Sequence, residues 1–201
     1  MDRHRVAVLL ILADFDAKEC SNVQRRQRER RVQCALRIAH RVNEGELLSQ
    51  WLDAELVSAA RLHRGGPEVT ELLAELDAAI YVIDCCPNLS GPETAERTKP
   101  LVEQLRKARP ETPIVLVEDR VYTDAWLIAS KKSRNDGNHA ALKKSFDELI
   151  ATGTKHLDYI PGTDLLGDDN EGAVDSSHPN DLGFMRQADA FDKVLGKMMK
   201  E

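Results

Sequence analysis

A continuously apolar run, Ala79-Ile80-Tyr81-Val82-Ile83, lies in the middle of the 201-residue chain. Its β-rich composition and its lack of polar alternation predict a strand that is buried on both faces of a sheet. A second run of the same kind, Pro113-Ile114-Val115-Leu116-Val117, follows it. A shorter strand is predicted over residues 157–160, where Pro161 and Gly162 end it. These segments predict the core strands of one sheet.

Helix signals alternate with the strands. Ser90-Gly91-Pro92-Glu93 is a helix-start pattern, and Asn180 or Asp181 is a suitable N-cap residue. The predicted helices cover residues 67–76, 90–108, 138–150 and 181–199. Alternating strands and helices imply a three-layer α/β/α fold with a mainly parallel sheet. In such a fold, functional side chains gather at the carboxyl ends of the strands.

The first third of the chain has a different composition. Residues 1–66 hold 12 Lys+Arg, of which 11 are Arg, and 9 Asp+Glu, whereas the whole chain has a net charge of −6. A first strand is predicted between Arg5 and Leu12, and helices are predicted over residues 21–42 and 46–60. We therefore divide the chain into an atypical Arg-rich segment, residues 1–66, and an α/β core, residues 67–201. The first segment can be a disrupted part of the same domain.

Charge, apolar runs and cysteine spacing limit the classes of function and the compartment that the sequence predicts. The acidic balance gives no reason to expect nucleic-acid binding. The apolar run from Val6 to Ala13 is too short to span a bilayer, and a signal peptide is not favoured. The four cysteines form no CxxC pair and predict free thiols in a reducing, cytoplasmic compartment.

The strongest chemical signal is Asp175-Ser176-Ser177-His178-Pro179-Asn180-Asp181. An acid three residues before a histidine can reach one ring nitrogen within a single turn. In acyl transfer, such a carboxylate orients the histidine that takes the proton of a nucleophilic hydroxyl. The alternative interpretation is a loop whose Asp and Asn only cap a helix.

The longer run Gly172 to Phe184, with Asp175-x-x-His178-Pro179, resembles the closing signature of the SGNH (GDSL-like) hydrolases. The segment from Tyr81 to Leu89 resembles the strand end that carries the family's oxyanion asparagine, and the segment from Pro113 to Tyr122 resembles its next core strand. The resemblance covers about residues 67–199. It implies a flavodoxin-like SGNH-hydrolase fold and a serine-dependent carboxylic-ester hydrolase. It also implies a small ester or acetylated carbohydrate as substrate, with no metal or cofactor.

Carried onto this chain, the resemblance makes His178 the general base, Asp175 its orienting acid and Asn88 an oxyanion donor. Asn88 departs from the family pattern, since it stands in Cys86-Pro87-Asn88-Leu89, and it is equally a turn residue after proline. The nucleophile stays unknown, because the first apolar run continues as Leu12-Ala13-Asp14-Phe15-Asp16 without a Gly-Asp-Ser turn.

Three explanations for the missing serine stay open. Residues 1–66 can be the product of a shifted reading frame, which their Arg-rich and lysine-poor composition fits. They can be a genuine replacement, which would leave an inactive relative acting as a binding module. A third explanation is that folding brings in a serine from elsewhere. The serines before the core are Ser21, Ser49 and Ser58, and each stands in a predicted helix rather than in a strand-end turn.

Other polar residues are weaker candidates. Cys85 and Cys86 follow a strand and can offer a thiolate, although buried structural thiols are commoner. Asp119 and Arg120 are expected to form an ion pair or a loop anchor, and His139 and His156 are expected at the surface. The acidic loop over residues 164–171 lacks the spacing of a calcium-binding EF-hand loop, so a solvated turn is expected there.

Overall fold

The fold is taken from a computed structural model, which describes residues 7–11, 55–58, 67–75 and 78–198. Its strands and helices are, in chain order, β1 (Ala7–Ile11), β2 (Glu55–Ser58), α1 (Pro67–Glu75), β3 (Ile80–Ile83), α2 (Gly91–Ala108), β4 (Ile114–Val117), α3 (Ala129–Ala151), β5 (Leu157–Ile160) and α4 (Asp181–Met198). Short 3₁₀ turns, Cys86–Asn88 and Gly162–Asp164, follow β3 and β5.

The five described strands form one parallel sheet in the order β2-β1-β3-β4-β5. This is the strand order of flavodoxin-like, doubly wound proteins, in which the chain changes direction across the sheet between β1 and β3. All five carboxyl ends therefore point to the same side, which we call the carboxyl edge of the sheet. The predicted α/β fold with a parallel sheet is confirmed.

Alternate residues of the central strands enter two separate cores, as expected for a sheet covered on both faces. Ile80 and Val82 pack with Phe191 and Leu195 of α4 on one face. Tyr81 and Ile83 belong to the opposite core, which contains Leu73 of α1 and these residues of α2 and α3: Leu101, Val102, Leu105, Leu142 and Leu149. The result is a three-layer α/β/α arrangement.

The N-terminal predictions have mixed outcomes. The strand expected between Arg5 and Leu12 is present as β1. The helix predicted over residues 46–60 is wrong at Glu55–Ser58, because that backbone pairs in parallel with β1 instead. A four-residue segment with only two apolar residues does not distinguish strand from helix, so the pairing with β1 decides it. Ser58 accordingly ends a strand, and residues 21–42 lie outside the described residues. The division at residue 66 stays a prediction.

Helix α3 begins nine residues before its predicted start, at Ala129 rather than Asn138. Its first turns lack an apolar stripe, which is why periodicity missed them. The inward-facing residues there are Asn135 and Asn138, both buried and both hydrogen-bonded to loop backbone. This half of α3 covers the carboxyl edge of the sheet, where polar groups need partners.

The start of α2 follows its sequence signal. The backbone N–H of Ser90 donates to the Glu93 carboxylate at 2.8 Å, and the N–H of Glu93 donates to the Ser90 hydroxyl. This reciprocal capping box satisfies two backbone donors that the helix leaves unpaired.

Gly162 marks the closest backbone approach at the carboxyl edge. A Cβ atom there would lie 2.0 Å from the carbonyl oxygen of Asp119 and 2.9 Å from Nε2 of His139. Gly137, on the exposed side of α3, has no atom within 4 Å of such a Cβ. Alanine substitutions at the two glycines therefore compare a crowded position with an open one.

We expect Gly162→Ala to lower the free energy of unfolding by about 1–3 kcal/mol, because backbone must move to admit the methyl group. Gly137→Ala should raise it by about 0.5–1 kcal/mol, because alanine is the better helix former. Urea denaturation of both variants measures the difference. Equal stabilities would contradict the close approach between the ends of β4 and β5.

Candidate active site

Helix α3 joins the loops that follow β3 and β4. The Asn138 side-chain amide donates to the carbonyl oxygens of Leu89 at 2.9 Å and of Cys86 at 3.2 Å. Asn135 accepts from the N–H of Tyr122 and donates to the carbonyl oxygen of Arg120, each at 3.0 Å. These bonds fix the backbone of both strand ends against one rigid helix.

Asp119 lies beneath these loops and is almost fully buried. Burial raises the pKa of its carboxyl group, and the nearby charges of Arg120 and Arg134 oppose that rise. Of the two roles predicted for Asp119 and Arg120, an ion pair or a loop anchor, the hydrogen bonds show the second for Arg120. Arg120 donates from Nε to the carbonyl oxygen of Ser177, so it anchors a distant loop.

The segment with Asp175 and His178 forms a closed turn, which we call the histidine turn (residues 173–179). An antiparallel bridge between Ala173 and Pro179 closes it, and the N–H of Val174 donates to the carbonyl oxygen of His178 at 2.9 Å. Inside the turn, Oδ1 of Asp175 accepts from the N–H groups of His178 at 2.8 Å and Ser177 at 3.1 Å. Its Oδ2 lies 2.5 Å from Nδ1 of His178.

These bonds keep Asp175 ionised. The N–H and then the ring of His178 lower the pKa of the Asp175 carboxyl from 3.8 to about 2. Because the pKa is depressed, this stabilisation is present above pH 3.8 and is lost as the pH falls through about 2. An ionised carboxylate at Nδ1 makes that nitrogen the donor and leaves the lone pair on Nε2. The ring is half exposed, so reactants can reach it.

The histidine turn is bound on both sides. The N–H of Thr123, in the loop after β4, donates to the carbonyl oxygen of Ser176 at 2.9 Å. On the other side Asn180 caps α4, as the sequence predicted, since its Oδ1 accepts from the N–H of Gly183 at 3.0 Å. The turn therefore connects the end of β4 with the start of α4.

Asn88 lies where the sequence placed it, at the strand end after β3 and in the 3₁₀ turn. Its side chain is half buried and has no hydrogen-bond partner among the described residues. The preceding residue, Pro87, is fixed by Arg134, whose guanidinium donates to its carbonyl oxygen at 2.7 Å. The turn is thus anchored while the amide of Asn88 is left available.

Cys85 and Cys86, the two cysteines that the structure describes, are poor nucleophiles. Cys85 and Cys86 are both buried in the core beneath β3. Burial, reinforced by the charge of Asp84, raises the pKa of the Cys85 thiol to about 12 and also raises that of Cys86. Both therefore stay protonated at neutral pH, as thiols of structural cysteines do.

Two further histidines in the described ranges, His139 and His156, differ in their surroundings. His156 is largely exposed, as predicted, and lies 3.3 Å from Glu111. The prediction that His139 lies at the surface is wrong, because its ring is mostly covered and its Nε2 lies 2.6 Å from the carbonyl oxygen of Asp119. Its Nδ1 faces the Glu118 carboxylate at 3.7 Å, so His139 belongs to the packing of the strand ends.

The acidic loop, residues 164–171, is bound to α4 by an ion pair. Both oxygens of the Asp169 carboxylate bind the Arg186 guanidinium, at 2.5 and 2.7 Å, which lowers the pKa of Asp169 well below its usual range. Within the described ranges, no three His, Cys, Asp or Glu side chains converge as a metal site would require. No helix in the same part of the chain combines the length and apolarity needed to cross a membrane.

Of the serines considered as nucleophile, Ser21 and Ser49 lie outside the described residues, and only the backbone of Ser58 is described. Ser176, within the histidine turn, is bound to Lys131. The asparagines of α3 and Lys131 are the site residues that sequence reasoning missed. The spacing of Asn135 and Asn138, three residues apart in a helix, was the available signal.

The family model described as GDSL-like Lipase/Acylhydrolase family matches residues 55–196. The match includes β2 to β5 and the histidine turn. Searching the curated proteins gave no match.

Solved structures share the fold. A protein from Bacteroides ovatus described as a GDSL-like lipase is 25% identical, with a TM-score of 0.74, over 98% of this chain and 53% of its own. A salicylyl-acyltransferase from a tetracycline biosynthetic pathway is 16% identical, with a TM-score of 0.68, over 97% and 55%. A Clostridium thermocellum family 3 carbohydrate esterase is 12% identical, with a TM-score of 0.56, over 98% of both chains.

This chain spans about half the length of the first two of these structures. The family match covers most of the chain, and the parallel sheet with its histidine turn is the structural counterpart of that match. The chain belongs to the GDSL-like lipase/acylhydrolase family.

Proposed function

We propose that this chain is a serine-dependent carboxylic-ester hydrolase in which His178 is the general base. One observation carries the proposal, namely the 2.5 Å contact between Nδ1 of His178 and the ionised carboxylate of Asp175. The same carboxylate binds two backbone N–H groups, so it cannot turn away from the ring. Membership of a family of ester hydrolases supports this reading.

The proposed reaction has two steps. A serine hydroxyl transfers its proton to Nε2 of His178 while its oxygen attacks the ester carbonyl carbon. The alcohol then departs with that proton and leaves an acyl-enzyme. In the second step, water gives a proton to Nε2 and attacks the acyl carbon, which releases the acid and restores the serine. Asp175 stabilises the imidazolium that forms in each step.

We assign Asn88 as an oxyanion donor. Its amide is available at the carboxyl end of β3, and the strand pairing places that end beside β4. A preorganised side-chain amide contributes about 3 kcal/mol of transition-state stabilisation in acyl transfer. Gly65 and Gly66, the residues that can replace the family's glycine amide, lie outside the described residues.

An ester with an apolar part fits the surface beside the histidine turn. Trp126 and Leu127 are 75% and 70% exposed, and they follow Thr123, whose N–H binds the turn. Val174, within the turn, is 71% exposed. These exposed apolar side chains, in the loop after β4 and in the turn, support an apolar binding surface. Carbohydrate esterases among the structural neighbours make acetylated carbohydrates a further substrate class.

The second candidate function is ligand binding without catalysis. The sequence after β1 lacks the Gly-Asp-Ser turn that carries the family's nucleophile. Reading the upstream DNA in the other frames separates the two candidates cheaply. A Gly-Asp-Ser-like turn after a strand, in another frame, supports the hydrolase. Its absence removes the shifted-frame explanation.

His178→Ala should lower the rate of p-nitrophenyl acetate hydrolysis at least about 10³-fold, because no group then accepts the serine proton. Asp175→Asn should lower it about 10²- to 10⁴-fold, because the ring loses the carboxylate that orients it. His156→Ala is the control, since that ring is exposed and lies before β5, at the opposite edge of the sheet from the histidine turn. Hydrolysis that persists in His178→Ala would refute the assignment, and a folded but inactive wild type would favour the binding module.

Trp126→Ala should raise KM for p-nitrophenyl butyrate about three- to tenfold and leave kcat within about twofold, because only apolar binding area is lost. Ile150→Ala serves as the control, because Ile150 is also exposed but lies at the opposite end of α3. The same KM in the two variants would remove Trp126 from the substrate surface.

A further inference from the structure

Ser176 occupies a backbone conformation that serine rarely adopts. Its φ of 76° lies in the left-handed region, which glycine tolerates and other residues avoid. It stands between Asp175 and His178, so relaxation of this residue would rotate the two partners apart. Surrounding contacts must therefore hold this conformation.

Lys131 supplies such a contact through the side chain. Its Nζ lies 2.6 Å from the Ser176 hydroxyl and 2.5 Å from Oδ2 of Asp124. The same ammonium lies 5.5 Å from the ring centroid of Tyr122. Lys131 and Ser176 together lower the pKa of the Asp124 carboxyl, with the hydrogen bond from Lys131 as the largest cause. One ammonium thus links α3, the loop after β4 and the histidine turn.

The position of Lys131 in α3 supports a role in binding the histidine turn rather than in stabilising the helix. It lies in the first turn of the helix, where the macrodipole disfavours a positive charge. Lys132, the next residue, instead forms an ordinary exposed pair with Asp136, one helical turn later. Lys132 therefore has its partner within the helix, whereas the partners of Lys131 lie outside it.

We propose that Lys131 is a positioning residue, which orients the His178 ring by fixing Ser176 in its left-handed conformation. This inference rests on the proposed function of His178 as general base. Lys131 bonds Ser176 and Asp124 and acts on the His178 ring through the histidine turn. Two hydrogen bonds to the backbone of the turn remain when the Lys131 side chain is removed. The N–H of Thr123 donates to Ser176 and the side chain of Arg120 donates to Ser177, so the turn should loosen rather than unfold.

Lys131→Ala should lower kcat for p-nitrophenyl acetate about ten- to a hundredfold and leave KM within about twofold, because misorientation affects proton transfer more than binding. Lys131→Arg should recover most of that loss, since a guanidinium also bonds a hydroxyl and a carboxylate. Lys132→Ala is the matched control and should keep wild-type kcat. An unchanged kcat in Lys131→Ala would overturn the proposal.

A second measurement does not depend on activity. Long-range ¹H–¹⁵N correlation spectra of the free protein report which nitrogen of His178 carries the proton. Wild type and Lys132→Ala should show one tautomer with the proton on Nδ1, and Lys131→Ala should show ring signals averaged between tautomers. Signals unchanged in Lys131→Ala overturn the positioning role. An inactive wild type with these expected signals would refute the proposed hydrolase and leave the positioning role supported.

Discussion

Backbone groups at the carboxyl ends of β3 and β4 are buried, and α3 supplies their hydrogen-bond partners. Each buried group left unpaired would cost about 1–3 kcal/mol. Asn135 and Asn138 bind loop atoms on both strands, including the carbonyl oxygens of Arg120 and Leu89. The need to pair these groups explains why polar residues face inward on half of α3. It also fixes the loops on which the candidate site stands.

The histidine turn extends this framework. Arg120, whose carbonyl oxygen is bound by Asn135, in turn binds the carbonyl oxygen of Ser177 with its side chain. Within the turn, one carboxylate accepts from two amides and one ring. A half-exposed imidazole with a fixed orientation is what proton transfer to and from a substrate requires. The geometry therefore connects the packing of the sheet to the proposed chemistry.

Local rules govern the elements that the sequence predicts correctly. The apolar runs of β3 and β4, the capping box at Ser90 and the Asn180 cap all depend on neighbouring residues. Distant contacts decide the elements that the sequence does not predict. The strand at Glu55–Ser58 exists because of pairing with β1, and the first turns of α3 exist because their asparagines reach other loops.

The contacts of the candidate site also divide into those that a local pattern predicts and those that it does not. A spacing of three residues predicted that Asp175 reaches His178, and the two lie in contact. Lys131 is 45 residues from Ser176 in the chain, so no local pattern links them. The roles of Asp175, His178 and Asn88 stay proposals.

A serine-directed covalent label tests the central claim most directly. The folded chain is incubated with a fluorophosphonate, and the modified residue is identified by peptide mass spectrometry. The account predicts one labelled serine in the wild type and no label in His178→Ala, because His178 activates that serine. Labelling that is absent from the wild type, or retained in His178→Ala, would contradict it.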